Sequence, residues 1–250
     1  MCIINNENKK RIIRITAAAV AVCLAISVFT LWFSAGYHAD TERIAEYCRA
    51  SRVEMREVEG ALTVFGDPES EYGFILYPGA MVDHYAYAPL AAKLASYGVL
   101  CVITDMPLDL AILNPNAADK AVSRYGSVKR WYIGGHSLGG VMAARYAAGH
   151  AKDVSGIVLL AAYSDIDVSQ SGLRCLSVYG SRDGVMNREK YGAYRDNLPA
   201  DLTEYVIDGG NHAGFGMYGA QLGDGVSALR DGEQIELAAE YIYSFIKAGD

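Results

Sequence analysis

The fold class that this sequence predicts is a doubly wound α/β domain with a mostly parallel sheet, preceded by one N-terminal transmembrane helix. Three observations predict it. A long uncharged apolar run follows a basic cluster near the start, short apolar runs alternate with amphipathic stretches over the rest, and the short runs are continuous in their apolar character. Continuous apolar strands are buried on both faces, which is typical of a parallel sheet covered by helices on each side.

The N-terminal segment has the length and charge pattern of a membrane anchor. A basic cluster from Lys9 to Arg14 precedes an uncharged run from Ile15 to Phe33. As a helix, this run spans about 28 Å, close to the thickness of the hydrocarbon core of a bilayer. We divide the chain into four parts: a short basic cytoplasmic tail at 1–14, a transmembrane signal-anchor at 15–35, a linker at 36–52 and the α/β domain at 53–250.

Two other interpretations of the N-terminal segment remain open. A signal peptide cleaved near the small residues Ser34 to Gly36 would release a secreted protein, and a core helix would be buried in the domain. The basic residues lie on one side of the apolar run, so the positive-inside rule predicts that this end stays in the cytoplasm. We therefore expect a single-pass protein of the cell membrane whose folded domain is extracytoplasmic, or a secreted protein if the segment is cleaved.

The charge balance argues against nucleic acid as a partner. The formal net charge is −7 at pH 7, and the basic N-terminus leaves the rest of the chain more acidic still. The five cysteines include no Cys-x-x-Cys pair, and no cluster has the spacing of zinc ligands. We expect neither a metal ion nor a cofactor.

Seven short apolar runs predict strands, which begin near residues 61, 74, 99, 130, 156, 174 and 202. Five stretches predict helices: YAPLAAKLASYG, NAADKAVSRYG, SLGGVMAARYAAGH, REKYGAYRDNL and DGEQIELAAEYIYSFIKA. Only SDIDVSQSGL separates the fifth and sixth strands, which leaves no room there for a sizeable cap domain. In open sheets of this kind ligands bind at the carboxyl ends of the strands, so the residues that follow strands form the candidate site.

Four strand ends carry chemically useful groups. The turn PGAMVDHY follows the second strand, Ser137 the fourth, Asp183 the sixth and His212 the seventh. Ser137 lies at a strand-to-helix transition in the motif Gly-His-Ser-Leu-Gly, where flanking glycines permit the strained turn that exposes a serine hydroxyl. In chain order, a turn with backbone amides comes first, followed by serine, aspartate and histidine.

These motifs resemble those of the α/β-hydrolase superfamily, and in particular a bacterial subgroup, α/β-hydrolase family 5, that is related to dienelactone hydrolases. The resemblance covers roughly residues 55–248 and lies in YPGAMVDHYAYAPLA, NPNAADKA, GGHSLGGVMAARYA, YGSRDGV and DGGNHAGFG. The Gly-x-Ser-x-Gly motif and the order serine, aspartate, histidine are those of the superfamily. The resemblance implies an α/β-hydrolase fold and hydrolase activity.

The chemistry of these residue types suggests a role for each. Ser137 is the candidate nucleophile, and His212 the base that takes its proton, because imidazole titrates near neutral pH. Asp183 is the candidate partner that holds the imidazole in the right tautomer. The alternative for Asp183 is a turn-forming aspartate before glycine. Asp165 and Asp167, after the preceding strand, are the substitutes.

The negative charge that develops on a substrate oxygen needs preorganised donors. One candidate is the backbone amide of Leu138, at the start of a helix. The second comes from the resemblance: the superfamily's His-Gly-x turn corresponds here to Pro78-Gly79-Ala80, which implies the Ala80 amide, with Met81 as the fallback. The histidine of that turn is missing. The apolar segment 106–119 is a candidate wall of the site or a surface loop packed on the core.

These residues predict a serine hydrolase, carboxylesterase-like, that cleaves a small carboxylic ester through an acyl-enzyme on Ser137. Two alternatives remain: an amide or lactone hydrolase with the same triad, or a catalytically silent, membrane-anchored binding module. The expected partners are a small-molecule acyl substrate and, through the N-terminal helix, a membrane.

Overall fold

The computed structural model describes residues 6–34 and 36–249, which belong to two separate units. The first unit contains helix α1 (Asn6–Ser34), and the second begins at Tyr37. Within α1, Lys9–Thr30 is long and apolar enough to cross a membrane, and these residues are not buried. By length and composition α1 is therefore a candidate span. A signal sequence near an N-terminus can have the same length and composition.

The second unit is built on one eight-stranded sheet in the order β1-β2-β4-β3-β5-β6-β7-β8. The strands are β1 (Met55–Val58), β2 (Leu62–Phe65), β3 (Tyr72–Tyr77), β4 (Leu100–Thr104), β5 (Arg130–His136), β6 (Gly156–Leu160), β7 (Arg174–Gly180) and β8 (Leu202–Ile207). Strand β2 is antiparallel to β1 and β4, and every other pair of neighbours is parallel. The predicted mostly parallel sheet is confirmed.

Strand β1 is absent from the sequence-based prediction. It has only four residues, Met-Arg-Glu-Val, which alternate between exposed and half-buried. It lies at the edge of the sheet and pairs only with β2. A short, charged edge strand lacks the continuous apolar run that marks the buried strands.

Helices cover both faces of the sheet and form two cores. They are α2 (Thr41–Ser51), α3 (Ala88–Ser96), α4 (Ala118–Arg124), α5 (Leu138–Gly149), α6 (Arg188–Ala193) and α7 (Glu233–Lys247). Residues of α2, α3 and α7 belong to one core, and residues of α4 and α5 belong to the other. Strand β3 contributes Phe74 and Leu76 to the first core and Ile75 and Tyr77 to the second, since successive side chains point to opposite faces.

Two connections affect the site. Residues 36–52, expected to form a linker, contain α2, whose Ile44 is fully buried against the first core. The chain from 161 to 173, between β6 and β7, contains no helix or strand, so no cap is inserted there. Strands β3, β5, β7 and β8 are parallel, so their carboxyl ends all lie at the same end of the sheet.

Candidate active site

Ser137 occupies a strained turn between β5 and α5. Strand β5 ends at His136 and helix α5 begins at Leu138, so Ser137 alone connects them. Its backbone has φ 53° and ψ −122°. A non-glycine residue in such a conformation costs about 1–3 kcal/mol and persists only where the surrounding structure holds it. The turn therefore presents Ser137 at the carboxyl ends of the parallel strands.

Close packing on both sides explains the glycines of this turn. A Cβ atom at Gly135 would lie 2.3 Å from the carbonyl carbon of Gly139, and a Cβ at Gly139 would lie 2.2 Å from the carbonyl oxygen of Tyr77. Any side chain at these two positions would separate α5 from β5 or from the end of β3. The glycines thus allow the serine turn to sit directly beside the turn that follows β3.

Asp183 and His212 form a buried hydrogen-bonded pair. His212 Nδ1 lies 2.9 Å from Asp183 Oδ2, and both side chains are almost completely buried. The other carboxylate oxygen of Asp183 accepts hydrogen bonds from the amides of Val185 and Met186, at 2.9 and 2.8 Å. Burial raises the pKa of Asp183, but the hydrogen bonds, that from His212 first, outweigh burial and hold it below its usual value. Asp183 is therefore an ionised acceptor.

This pair leaves His212 Nε2 as the basic nitrogen. Because an ionised carboxylate only accepts, Asp183 selects the tautomer with the proton on Nδ1, and in that tautomer the lone pair lies on Nε2. Within residues 6–34 and 36–249, Nε2 is buried and has no hydrogen-bond partner. The bond from Ser137 Oγ to Nε2 is therefore not formed. Catalytic hydrogen bonds often tighten only when substrate is bound.

The alternative acids are engaged elsewhere. Asp165 forms a bidentate ion pair with Arg145, with N–O distances of 2.6 and 2.9 Å. Asp167 is exposed and accepts a hydrogen bond from the Ser169 amide. Of the three aspartates considered from the sequence, the structure brings only Asp183 to His212.

The turn after β3 presents one free amide beside the serine turn. The Met81 amide donates to the carbonyl oxygen of Asp109 at 2.9 Å, so it is already used. In the described parts of the chain, the Ala80 amide has no acceptor. The Leu138 amide is the first of helix α5, where backbone N–H groups lack partners within the helix and the dipole favours an anion.

Two buried hydrogen bonds hold the turn that contains Ala80, and the sequence analysis did not predict them. The Gly79 amide donates to the Tyr87 hydroxyl at 3.1 Å, and this hydroxyl lies 2.8 Å from His136 Nδ1. Burial and the neighbouring His212 lower the pKa of His136 well below its usual value, so the ring is neutral. One hydrogen bond therefore joins the Tyr87 hydroxyl to His136 Nδ1, with the donor set by the imidazole tautomer. The ring centroid of His136 lies 4.5 Å from that of His212.

Asp224 is a second residue without a recognisable sequence signal. Its carboxylate accepts hydrogen bonds from the amides of His212 (3.0 Å), Ala213 (2.8 Å) and Gly184 (3.1 Å). It thus ties the histidine loop to the loop of Asp183. In the sequence it is one of several aspartates before glycine, a pattern that indicates only a turn.

A small cavity opens beside Ser137. Its volume is about 210 Å³. Besides Ser137, the lining residues are mostly apolar: Leu138, Val141, Ala161, Ala162, Tyr163, Val185, Met186 and Asn187. The segment 106–119 begins with two short 3₁₀ turns, at Pro107–Asp109 and Ala111–Leu113, that leave several large apolar side chains exposed. The site can hold a short apolar group next to a hydroxyl, a histidine and two unused amides.

Solved structures with a similar fold span most of the chain. Est1E from Butyrivibrio proteoclasticus matches with a TM-score of 0.56 and 16% identity, over 79% of this chain and 98% of that one. A protein described as a predicted CIB-like hydrolase from Thermoplasma acidophilum matches with a TM-score of 0.55 and 16% identity, over 77% and 98%. At this level of identity the likeness shows the fold.

A comparison with curated proteins finds no significant match. The model of the α/β hydrolase family matches residues 73–236, which is well over half of the chain and includes the serine turn, Asp183 and His212. The chain therefore belongs to the α/β hydrolase family.

Proposed function

We propose that this chain is a serine hydrolase that cleaves a small carboxylic ester through an acyl-enzyme on Ser137. The observation that carries the proposal is the pairing of a strained serine turn with a buried Asp183–His212 pair that leaves Nε2 without a partner. Strain and an unpaired buried base each cost stability, and such costs concentrate at functional sites. Membership of the α/β hydrolase family supports hydrolase activity.

In the first half of the reaction, Ser137 Oγ attacks the carbonyl carbon of the ester while His212 Nε2 takes the hydroxyl proton. Asp183 stabilises the imidazolium that forms. The amides of Leu138 and Ala80 donate to the tetrahedral oxyanion, and each such donor typically contributes about 3 kcal/mol to the transition state. Collapse of the intermediate breaks the bond to the alcohol oxygen, which receives the proton from His212.

In the second half, a water molecule attacks the acyl-enzyme. His212 takes one of its protons, and the same two amides stabilise the second tetrahedral intermediate. The bond to Ser137 Oγ then breaks as His212 returns the proton to that oxygen, which releases the acid and regenerates the serine. The small cavity beside Ser137 supports a short acyl or alcohol group as the bound part of the substrate. An amide or lactone would use the same groups, since pocket shape decides among them.

We also propose that α1 anchors the protein in the cell membrane and that the hydrolase domain lies outside the cytoplasm. The length and composition of Lys9–Thr30 support a span. The basic residues ahead of the apolar run support a cytoplasmic N-terminus. Intact mass of the protein purified from membranes tests whether the anchor is retained, because loss of the first residues would reveal cleavage.

The activated serine is tested by labelling the full chain in detergent with a fluorophosphonate and measuring intact mass. We expect one adduct on the wild type and none on Ser137→Ala or His212→Ala. Ser244→Ala is the matched control, because Ser244 is an exposed serine on α7 and should leave labelling unchanged. A folded wild type without an adduct would contradict the proposal and favour a silent binding module. Initial rates on paired p-nitrophenyl esters and anilides then separate esterase from amidase activity.

A further inference from the structure

The cavity beside Ser137 lies on one side of the serine turn, and the Ala80 turn lies on the other. In the sheet, β3 and β6 flank β5. The Ala80 turn follows β3, whereas the cavity is walled by residues that follow β6 and β7 and by the first turns of α5. An ester whose carbonyl oxygen points to the Ala80 and Leu138 amides therefore directs one of its two remaining groups toward the cavity.

The position of His212 decides which group enters the cavity. The leaving alcohol oxygen receives its proton from His212 Nε2, so it must lie within hydrogen-bond distance of that atom. Of the residues that the structure describes, those that line the cavity include Ser137 but not His212. The alcohol group therefore stays beside the histidine, outside the cavity, and the acyl chain enters it.

Close packing fixes the wall that follows β6. Ala161 and Ala162 are buried there, and a Cβ atom at Gly140 on α5 would lie only 2.4 Å from the Ala162 Cβ. The Ala161 amide donates to the Val178 carbonyl at 2.8 Å, which attaches this segment to β7. Helix α5 and the end of β6 are therefore in direct contact, and this wall leaves no room behind it for a longer chain.

Two larger buried side chains, Val141 and Met186, form other walls of the cavity. The Val141 amide donates to the Ser137 carbonyl at 3.3 Å, one helical turn away, so its side chain lies on the same face of α5 as the serine turn. The Met186 amide donates to the Asp183 carboxylate at 2.8 Å, so the proposed acid holds its backbone in place. These two positions can change the length of the cavity without replacing a group that reacts.

The volume and the lining of the cavity define the class of acyl group that fits. A volume of about 210 Å³ holds at most roughly seven groups of the size of a water molecule, at about 30 Å³ each. None of the described residues that line the cavity is charged, so a carboxylate or ammonium group on the chain would be buried there without an ionic partner, which is costly. An uncharged chain of about four to six carbons matches both properties.

We propose that this cavity is an acyl pocket for uncharged chains of about four to six carbons, that Val141 and Met186 set this length, and that the alcohol part of the substrate binds outside it. This inference rests on the proposed ester hydrolysis and names its substrate class. Each CH₂ group that enters an apolar pocket should raise kcat/KM about fourfold, until the chain reaches the wall.

The pocket is tested with p-nitrophenyl acetate, butanoate, hexanoate and decanoate, on the full chain in detergent with active sites counted by fluorophosphonate labelling. Wild-type kcat/KM should be highest at butanoate or hexanoate and at least about tenfold lower at decanoate. Val141→Phe should lower the hexanoate-to-acetate ratio at least about tenfold, whereas Met186→Ala should raise the decanoate-to-hexanoate ratio at least about tenfold. Loss of folded protein cannot produce these opposite shifts, because each ratio compares two esters on the same active sites.

Met142→Ala is the matched control. Met142 is a buried methionine of α5 in the second core and is not among the described residues that line the cavity. Its replacement should leave both ratios within about twofold of wild type. Partition of the longer esters into detergent micelles affects all variants alike, so it does not alter the comparison.

Three outcomes would overturn the proposal. Wild-type ratios in both Val141→Phe and Met186→Ala would show that these residues do not set the chain length. A change in Met186→Ala of the ratio between 4-methylumbelliferyl and 1-naphthyl butanoate, with unchanged acyl ratios, would assign the cavity to the alcohol. A wild-type rate independent of acyl length would refute the pocket and leave the proposed function standing. By contrast, no adduct and no turnover of any ester by the wild type would refute the proposed function, and the pocket with it.

Discussion

Replacing Tyr87 with phenylalanine should separate the positioning of the oxyanion turn from the general stability of the fold. The Tyr87 hydroxyl accepts from the Gly79 amide at 3.1 Å and is hydrogen-bonded to His136 Nδ1 at 2.8 Å. The side chain is fully buried, so a phenyl ring preserves the packing and removes only the hydroxyl. The Gly79 amide and His136 Nδ1 then lack partners in the interior.

The expected loss has two parts. A buried polar group left without a hydrogen bond costs about 1–3 kcal/mol, so the two groups together should lower the free energy of unfolding by about 2–6 kcal/mol. For a domain of this size that corresponds to a fall in Tm of at least about 4 °C. Removing an oxyanion donor costs about 10²- to 10³-fold in kcat, so displacing the Ala80 amide should cost at least about tenfold. KM should change little, because Tyr87 does not line the cavity beside Ser137.

Tyr77→Phe is the matched control. The Tyr77 hydroxyl donates to the Pro115 carbonyl at 2.8 Å and accepts from the Ala118 amide at 3.0 Å, and this side chain is also fully buried. Thermal unfolding in detergent should show similar losses for both variants, whereas kcat on p-nitrophenyl acetate should fall only in Tyr87→Phe. Equal kcat losses, or a wild-type kcat in Tyr87→Phe, would refute a positioning role for the Tyr87 hydroxyl.

Three further changes test other parts of the site. Gly139→Ala places a Cβ atom 2.2 Å from the Tyr77 carbonyl oxygen and should prevent stable folding, whereas a Cβ at Gly149 in the same helix meets nothing within 4 Å. Gly149→Ala should therefore stabilise the fold by about 0.5–1 kcal/mol, and thermal unfolding measures both changes. Asp183→Asn should lower kcat by about 10⁴, because the amide favours the wrong imidazole tautomer. Since the pKa of Asp183 is held below its usual value, its carboxylate stabilises the fold above pH about 4, and this contribution is lost as the pH falls through the lowered pKa. The Tm difference between wild type and Asp183→Asn should shrink on acidification below that pH, and a difference that grows would contradict this origin of the stability. Asp224→Ala leaves the His212 and Ala213 amides without their acceptor and should lower both Tm and kcat, the latter by at least about tenfold. Asp167→Ala removes an exposed acceptor of the Ser169 amide and should leave both values unchanged in the same thermal and kinetic assays.

The elements that the sequence predicts well depend on local patterns. Continuous apolar runs specify strands buried on both faces, and the serine turn follows from Gly135 and Gly139, since no other residue fits so close to the neighbouring backbone. Strand β1 and helix α2 were not predicted, because neither has such a local pattern. Both are short and carry charged residues, and only contact with β2 or with the core around Ile44 orders them.

By itself, the sequence determined the α/β class, the order of the strand ends and the residue types that follow them, because these depend on periodicity and chain order. Only the tertiary structure decided which groups meet. It paired Asp183 rather than Asp165 with His212 and bonded the Met81 amide to Asp109, and among the residues that the structure describes it left the Ala80 amide without an acceptor. Each of these contacts joins residues far apart in the chain, and their formation depends on how the helices and loops pack on the sheet, which no local pattern encodes.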